Sequence, residues 1–153
     1  MIDSLTLSNV GPFSKADLTF GQRFNFITGQ SGLGKSFLLD LTWFSMTRQW
    51  PAEVNHLLSS GSFARPGDRA DKSVIEAQFN VEQNIDKVKA TFSTDFESWI
   101  IKNTKSAYSG LVLYLMADGS FAVWDSERNR HDKSVPALVF SNKEIFNGLD
   151  GAG

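Results

Sequence analysis

The chain has 153 residues, of which 41% are apolar and 21% charged, so it has the length of one domain and too much apolar material for wholesale disorder. Its 15 basic and 17 acidic residues leave a formal charge of −2 and a pI near 5.6, which excludes a histone-like nucleic-acid coat. Cysteine is absent, which excludes a disulfide scaffold, a zinc ribbon, an iron–sulfur cluster and a thiol nucleophile, and two histidines far apart in sequence, His56 and His131, argue against a histidine metal centre.

Leu5-Thr6-Leu7-Ser8-Asn9-Val10 alternates apolar and polar residues, which predicts a half-buried strand that Gly11-Pro12 breaks. Ala16 to Phe20 alternates again and ends at Gly21-Gln22. Phe24-Asn25-Phe26-Ile27-Thr28 predicts a third strand, more apolar and therefore more buried than the first two. After a glycine-rich stretch, Lys35 to Thr47 contains neither Gly nor Pro and sets Phe37, Leu38, Leu41, Thr42 and Phe44 around one stripe, which predicts a helix. Trp50-Pro51 ends it, Ala52 to Ser59 holds a short helical turn, and residues 49–72 as a whole read as a flexible loop.

Strand character returns at Ile75, Ala77, Phe79 and Val81, and again at Val88, Ala90 and Phe92, which predicts an antiparallel hairpin. Trp99 to Lys102 is a shorter strand. Asp118-Gly119 between Leu111–Ala117 and Ser120–Asp125 is the strongest short hairpin signal in the chain. Arg128 to Ser134 is a polar loop, Ala137 to Phe140 a last strand, and Asn142 to Asn147 a helix start. Residues 73–147 therefore form an antiparallel β-subdomain, and 148–153 read as a cut or disordered end.

Gly29-Gln30-Ser31-Gly32-Leu33-Gly34-Lys35-Ser36 fits the phosphate-binding P-loop pattern G-x-x-x-x-G-K-[ST] at every fixed position. A loop wrapped round phosphates must turn several backbone N–H groups inward, which glycine permits, and the positive end of the following helix adds to the attraction. In that pattern Lys35 reaches the β- and γ-phosphates, the Ser36 hydroxyl ligates Mg2+, and amides as far as Phe37 complete the cradle. An apolar run before the loop and a helix after it are the setting such a loop requires.

The segments Ile2 to Ser14, Leu18 to Phe20 and Phe24 to Gly29, with Ser36-Phe37-Leu38-Leu39-Asp40 after the loop, resemble the N-terminal lobe of RecF/SMC-type ABC ATPases, a class that includes the overcoming-lysogenization-defect (OLD) type. The likeness is specific over residues 2–48 and architectural beyond them. Ser31 stands where that class commonly has asparagine. The resemblance implies an α/β P-loop NTPase lobe with a mixed, largely antiparallel sheet and one main helix, forming part of an ABC-ATPase head. It also implies that Phe13, Ser14 and Lys15 lie at the adenine and ribose, an ordinary connecting turn being the alternative for each, while Asn25 either belongs to the site or buttresses its strand.

Such heads also need a Q-loop glutamine, a signature sequence and a strand ending in Asp-Glu. The closest approach is Leu111 to Asp118, but it continues into Gly119 and an alternating strand, so Asp118 reads as a turn residue rather than a Mg2+ ligand. The expectation is an N-terminal half-head that binds ATP·Mg poorly and hydrolyses it hardly at all without its C-terminal half, on the same or a separate chain. Its partners would be further ATPase heads, as a homodimer or hetero-oligomer, with DNA or a nuclease effector, in DNA repair or antiphage defence. The rival readings are a non-hydrolytic assembly subunit and another P-loop enzyme such as a transporter ATPase.

Weaker signals read as structure. Arg128, Arg130, His131 and Lys133 are interspersed with acids, as are Arg65, Arg69 and Lys72, and the four tryptophans read as packing residues. The longest apolar run is too short to span a bilayer and the N-terminus has no secretory pattern, so no membrane partner and a cytoplasmic location are expected.

Overall fold

The computed structural model describes residues 1–81, 84–102, 108–128 and 136–150. They form an α/β fold with two antiparallel sheets and few helices, compatible with a partial P-loop NTPase lobe. Two compact units divide the chain, residues 1–35 with 64–105 and residues 36–63 with 106–153.

The first unit is built on strand β1 (Ile2–Val10). It pairs on one side with β2 (Phe13–Thr19) and on the other with β3 (Val74–Val81), which continues to β4 (Asn84–Ser93) and β5 (Ser98–Ile101) in the order β2-β1-β3-β4-β5. Leu5 opposes Leu18 and Ala77, and Leu7 opposes Ala16 and Ile75, so the apolar half of each alternation falls on one face. Leu5, Leu7, Ile75, Ala77 and Ala90 are buried there, the large ones contributing about 1.5–3 kcal/mol each. The other face is polar, and Lys89 forms an ion pair with Glu76 directly across from it.

Asn9 takes a left-handed conformation at the end of β1. Its amide donates to Ser73 Oγ at 3.0 Å, and that hydroxyl donates back to the Asn9 carbonyl at 2.6 Å. Gly11 and Gly67 add backbone bonds to the Arg65 and Asn9 carbonyls, so residues 64–73, with their 3-10 turn at Ala70–Lys72, are tied to the start of β2. Trp99 closes the same corner by donating its indole N–H to the Ala64 carbonyl at 2.7 Å.

The strand expected at Phe24–Thr28 does not form. A strand needs a neighbour for its backbone groups, and among the described residues none pairs with this segment. Phe24 and Phe26 are 79% and 78% exposed and stack on each other at 6.3 Å, so the run expected to be the most buried is uncovered. Asn25 instead closes a turn, accepting from Gly21 N at 2.6 Å and donating to Gly21 O at 3.0 Å.

Helix α1 (Lys35–Thr47) leads into the second unit. Leu38, Leu41 and Phe44 are buried as the stripe predicts, while Phe37 and Thr42 are half-buried, and the stripe widens to Asp40, Trp43, Ser45 and Thr47. Ser45 and Thr47 are tolerated inside because each hydroxyl donates to the carbonyl four residues back. Arg48, in the left-handed region, ends the helix, and Trp50 stacks on Phe44 at 4.2 Å before Pro51 opens the one-turn α2 (Pro51–Val54).

Strands β6 (Leu111–Leu115), β7 (Phe121–Asp125) and β8 (Leu138–Phe140) form the second sheet, in sequence order. Trp43, Met116, Ala122, Trp124 and Ala137 make its core, with Val112, Tyr114 and Val139 packed against them. Leu111, Leu113 and Leu115, alternating with Val112 and Tyr114, are exposed. Trp124 donates to the Tyr108 carbonyl at 3.2 Å, and Trp43, Trp50, Trp99 and Trp124 are all buried, as packing residues are. The basic residues Arg130, His131 and Lys133 fall outside the described residues, whereas Arg128 donates to the Pro136 carbonyl at 3.2 Å. Among the described residues no helix is long and apolar enough to cross a membrane.

Helix α3 (Asn142–Asp150) runs through Gly148, further than the start predicted at Asn142–Asn147. Its N-terminus carries a reciprocal cap: Ser141 Oγ accepts from Glu144 N–H at 3.2 Å, and the Glu144 carboxylate accepts from Ser141 N–H at 2.8 Å. Replacing Ser141→Ala is expected to destabilise the fold by about 1 kcal/mol, read as a lowered urea midpoint with an unchanged slope.

Candidate functional site

The glycine-rich loop lies between the uncovered segment 24–28 and the first turn of α1. Lys35 shapes it. The ammonium donates to the Gly29 carbonyl at 2.8 Å and to the Gln30 carbonyl at 2.7 Å, folding the side chain back over the loop that precedes it. An ammonium has three protons, so these two bonds fix the loop's first peptides and leave one donor for an incoming phosphate oxygen.

Gly34 lies at φ +83°, a region that L side chains rarely adopt. A Cβ placed there would lie 3.1 Å from Phe13 Cζ, so the Phe13 ring sits close against the loop's backbone and would have to give by a few tenths of an ångström to admit one. At Gly32, also at positive φ, a Cβ would meet nothing within 4 Å, so that stretch of backbone faces open space. Gln30, Ser31 and Leu33 are exposed, and the Leu33 N–H lies 3.5 Å from the Gln30 carbonyl. Exposed backbone with glycines at positive φ is of the kind that can lie close against an anion.

Ser36 follows Lys35 in the chain and is exposed in the first turn of α1, with Phe37 half-buried behind it. Among the described residues no group of three His, Asp or Glu assembles as a metal cage. A divalent ion here would therefore be held by phosphate oxygens, the Ser36 hydroxyl and water, the manner in which Mg2+ is bound beside nucleotides.

The other residues singled out in the sequence fare differently. Phe13 meets the loop at Gly34. Ser14 and Lys15 are exposed on β2, and the Lys15 ammonium pairs with Asp17 at 3.1 Å. Asp118 sits in the β6–β7 turn, where Ser59 Oγ donates to it at 2.8 Å and the Ser120 N–H at 3.0 Å. These hydrogen bonds hold its carboxyl below the usual carboxylate range, Ser59 having the largest effect.

The sequence also leaves unremarked a buried polar pair. Asp40 on α1 accepts from the Tyr114 hydroxyl on β6 at 2.6 Å. Burial raises the Asp40 carboxyl above its ordinary value, and burial and the Asp40 contact raise the Tyr114 hydroxyl. An apolar helix stripe interrupted by a carboxylate is the signal that points to this pair, though nothing in the sequence names its partner.

A lysine bonded back across a glycine-bent loop and followed by an exposed serine at a helix start is the arrangement that the P-loop pattern describes. The chain belongs to the AAA domain family, whose profile matches residues 4–150, and the ATPase type of nucleotide binding comes with that membership. No curated protein matches the chain.

Gly34→Ala is expected to cost about 1–2 kcal/mol of stability, from the positive φ and the displaced Phe13 ring, and to weaken ATP binding at least tenfold in a fluorescence titration. Asp118 is a depressed acid, so its stabilising effect is present above the unfolded value near 3.8 and is lost as pH falls through the folded one. Asp118→Asn should consequently flatten the fall in melting temperature between about pH 5 and pH 3.

Proposed function

We propose that the chain is the N-terminal half of a RecF/SMC-like ATPase head that binds ATP·Mg2+ through Gly29, Gln30, Ser31, Gly32, Leu33, Gly34, Lys35, Ser36 and Phe37. The observation that carries this reading is the Lys35 ammonium bonded to the first two carbonyls of a glycine-rich loop that opens α1. The backbone amides and the remaining Lys35 proton bind the phosphates, and Ser36 holds the ion. Mg2+ when bound supplies charge neutralisation at the β- and γ-phosphates. Phe13 packs against the loop from β2, and Ser14 and Lys15 beside it are the candidates for ribose and base contact.

Hydrolysis in this reading needs a second half. Asp118, the one candidate among the described residues at the end of an apolar strand, is engaged by Ser59 and Ser120 in a turn. The uncovered Phe24–Thr28 segment supports the same conclusion, because its strand periodicity and exposed phenylalanines have no paired strand among the described residues and could take one beside them. That strand comes from the C-terminal half of the head, on the same or a separate chain. Two heads then sandwich the nucleotide, as a homodimer or hetero-oligomer, and its hydrolysis controls their association on DNA or with a nuclease effector in the cytoplasm.

A composite site makes ATP a ligand of the closed pair more than of the open one, which is what couples nucleotide to association. Lys35→Ala removes both the loop staple and the phosphate contact. In the presence of the C-terminal half, ATP is expected to shift the wild type to a larger species in light scattering and to leave Lys35→Ala unshifted. A variant that still associates with ATP would overturn this mechanism.

A further inference from the structure

We infer that the outer face of the sheet β6-β7-β8 docks on the same face of a second copy of this chain, across a two-fold axis along the row Leu113, Val123 and Leu138. The contact lies within the second unit and needs no nucleotide. Register sets out the face. Leu115 lies opposite Phe121 and Phe121 opposite Phe140, Leu113 opposite Val123 and Val123 opposite Leu138, and Leu111 opposite Asp125. Directly opposed residues share one face of a sheet, and the intervening Val112, Tyr114, Ala122, Trp124 and Val139 pack on the other side with Trp43. The sheet is therefore apolar on both faces, whereas an antiparallel sheet with one face in water alternates apolar with polar. Leu111, Leu113 and Leu115 are 64%, 63% and 79% exposed, Leu138 and Phe140 are exposed beside them, and Phe121 and Val123 are half-buried. The Phe121 and Phe140 rings lie 5.0 Å apart, which makes one end of the face a continuous aromatic ridge.

The area fits a second copy. These apolar side chains expose on the order of 600 Å2, as much as the largest apolar patch on a typical monomer. Laid on its own copy, the face removes roughly 1,200 Å2 from water, above the ~1,000 Å2 that a specific interface needs and at the low end of stable ones. Two sheets packed face to face keep their strands within about 30° of each other and interleave their side chains, so three short strands close three others. Charge then selects the orientation. Among the described residues of the face, Asp125 is the only charged one, exposed at the end of β7, where its carboxylate accepts from the Glu127 N–H at 3.0 Å. A two-fold axis along β7 would set the two Asp125 carboxylates against each other, whereas an axis across the strands sends them to opposite ends. That axis brings Leu113, Val123 and Leu138 each against its own copy. A lipid surface is the poorer occupant, because it attracts lysine and arginine and this face offers an acid.

Sedimentation equilibrium of the whole chain without nucleotide tests this. The wild type is expected to pass from 17.0 kDa toward twice that mass between about 1 and 200 µM, and to stop there. Leu113→Lys and Leu113→Glu change an exposed position outside the core, so each should weaken association about tenfold or more with thermal unfolding unchanged. Leu57→Lys, as exposed as Leu113 but outside the sheet, should associate like the wild type. Because Leu113 faces its own copy, an equimolar mixture of the Leu113→Lys and Leu113→Glu chains should regain association. Lys35→Ala should also associate like the wild type, which separates this contact from the ATP-dependent pairing of heads. A wild type that stays at 17.0 kDa overturns the inference and leaves the face to another occupant. So does a mass that grows past two copies, which marks edge-to-edge pairing of β6, and so does association that survives Leu113→Lys or a mixture that stays apart. Binding to phosphatidylcholine vesicles that Leu113→Lys abolishes, with no dimer in solution, assigns the face to lipid and overturns it as well.

Discussion

An ammonium held by two backbone carbonyls gives the loop its purpose. Left alone, a stretch of exposed backbone with three glycines would sample many shapes, and an anion would have to select one of them at an entropic cost. Lys35, bonded to Gly29 and Gln30, closes the loop across six residues before any ligand arrives. Phe13 packs closely against Gly34, whose positive φ disfavours any side chain. In the proposed function, the charge that meets the phosphate is thereby used first to shape the loop. Ser36 follows Lys35 directly in the chain, in the first turn of α1.

Each compact unit solves a different problem. The five-stranded sheet buries one face through strict alternation, and its Asn9–Ser73 bonds hold residues 64–73 against the turn into β2. In the second unit α1 presents a stripe that mixes apolar residues with Asp40, Ser45 and Thr47, each with a hydrogen-bond partner. The uncovered Phe24–Thr28 run and the exposed leucines of β6 are the places where apolar alternation has no partner among the described residues.

Much of this was legible in the sequence because its signals are local. Alternation placed β1 to β5 within a few residues, Asp118-Gly119 placed the β6–β7 turn, and the spacing of Gly29, Gly34, Lys35 and Ser36 marked the loop without help from the fold. What sequence reading got wrong, or did not reach, depends on partners. Phe24–Thr28 has strand periodicity, but a strand exists only beside another, and periodicity carries no information about the neighbour. The Asp40–Tyr114 bond joins residues 74 apart, and the Ser59–Asp118 bond joins residues 59 apart. Neither has a spacing rule. The Ser141–Glu144 cap, which the sequence reading did not single out, explains why α3 begins where it does.

Hydrogen exchange of the loop's own amides tests the central claim most directly, because the claim concerns which backbone groups meet the phosphates. On adding ATP and Mg2+, the amides of residues 32–37 are predicted to become protected while those of β4 and β5 stay unchanged. Nucleotide binding without protection at 32–37, or with protection confined to another segment, would contradict the account and remove the loop from the site.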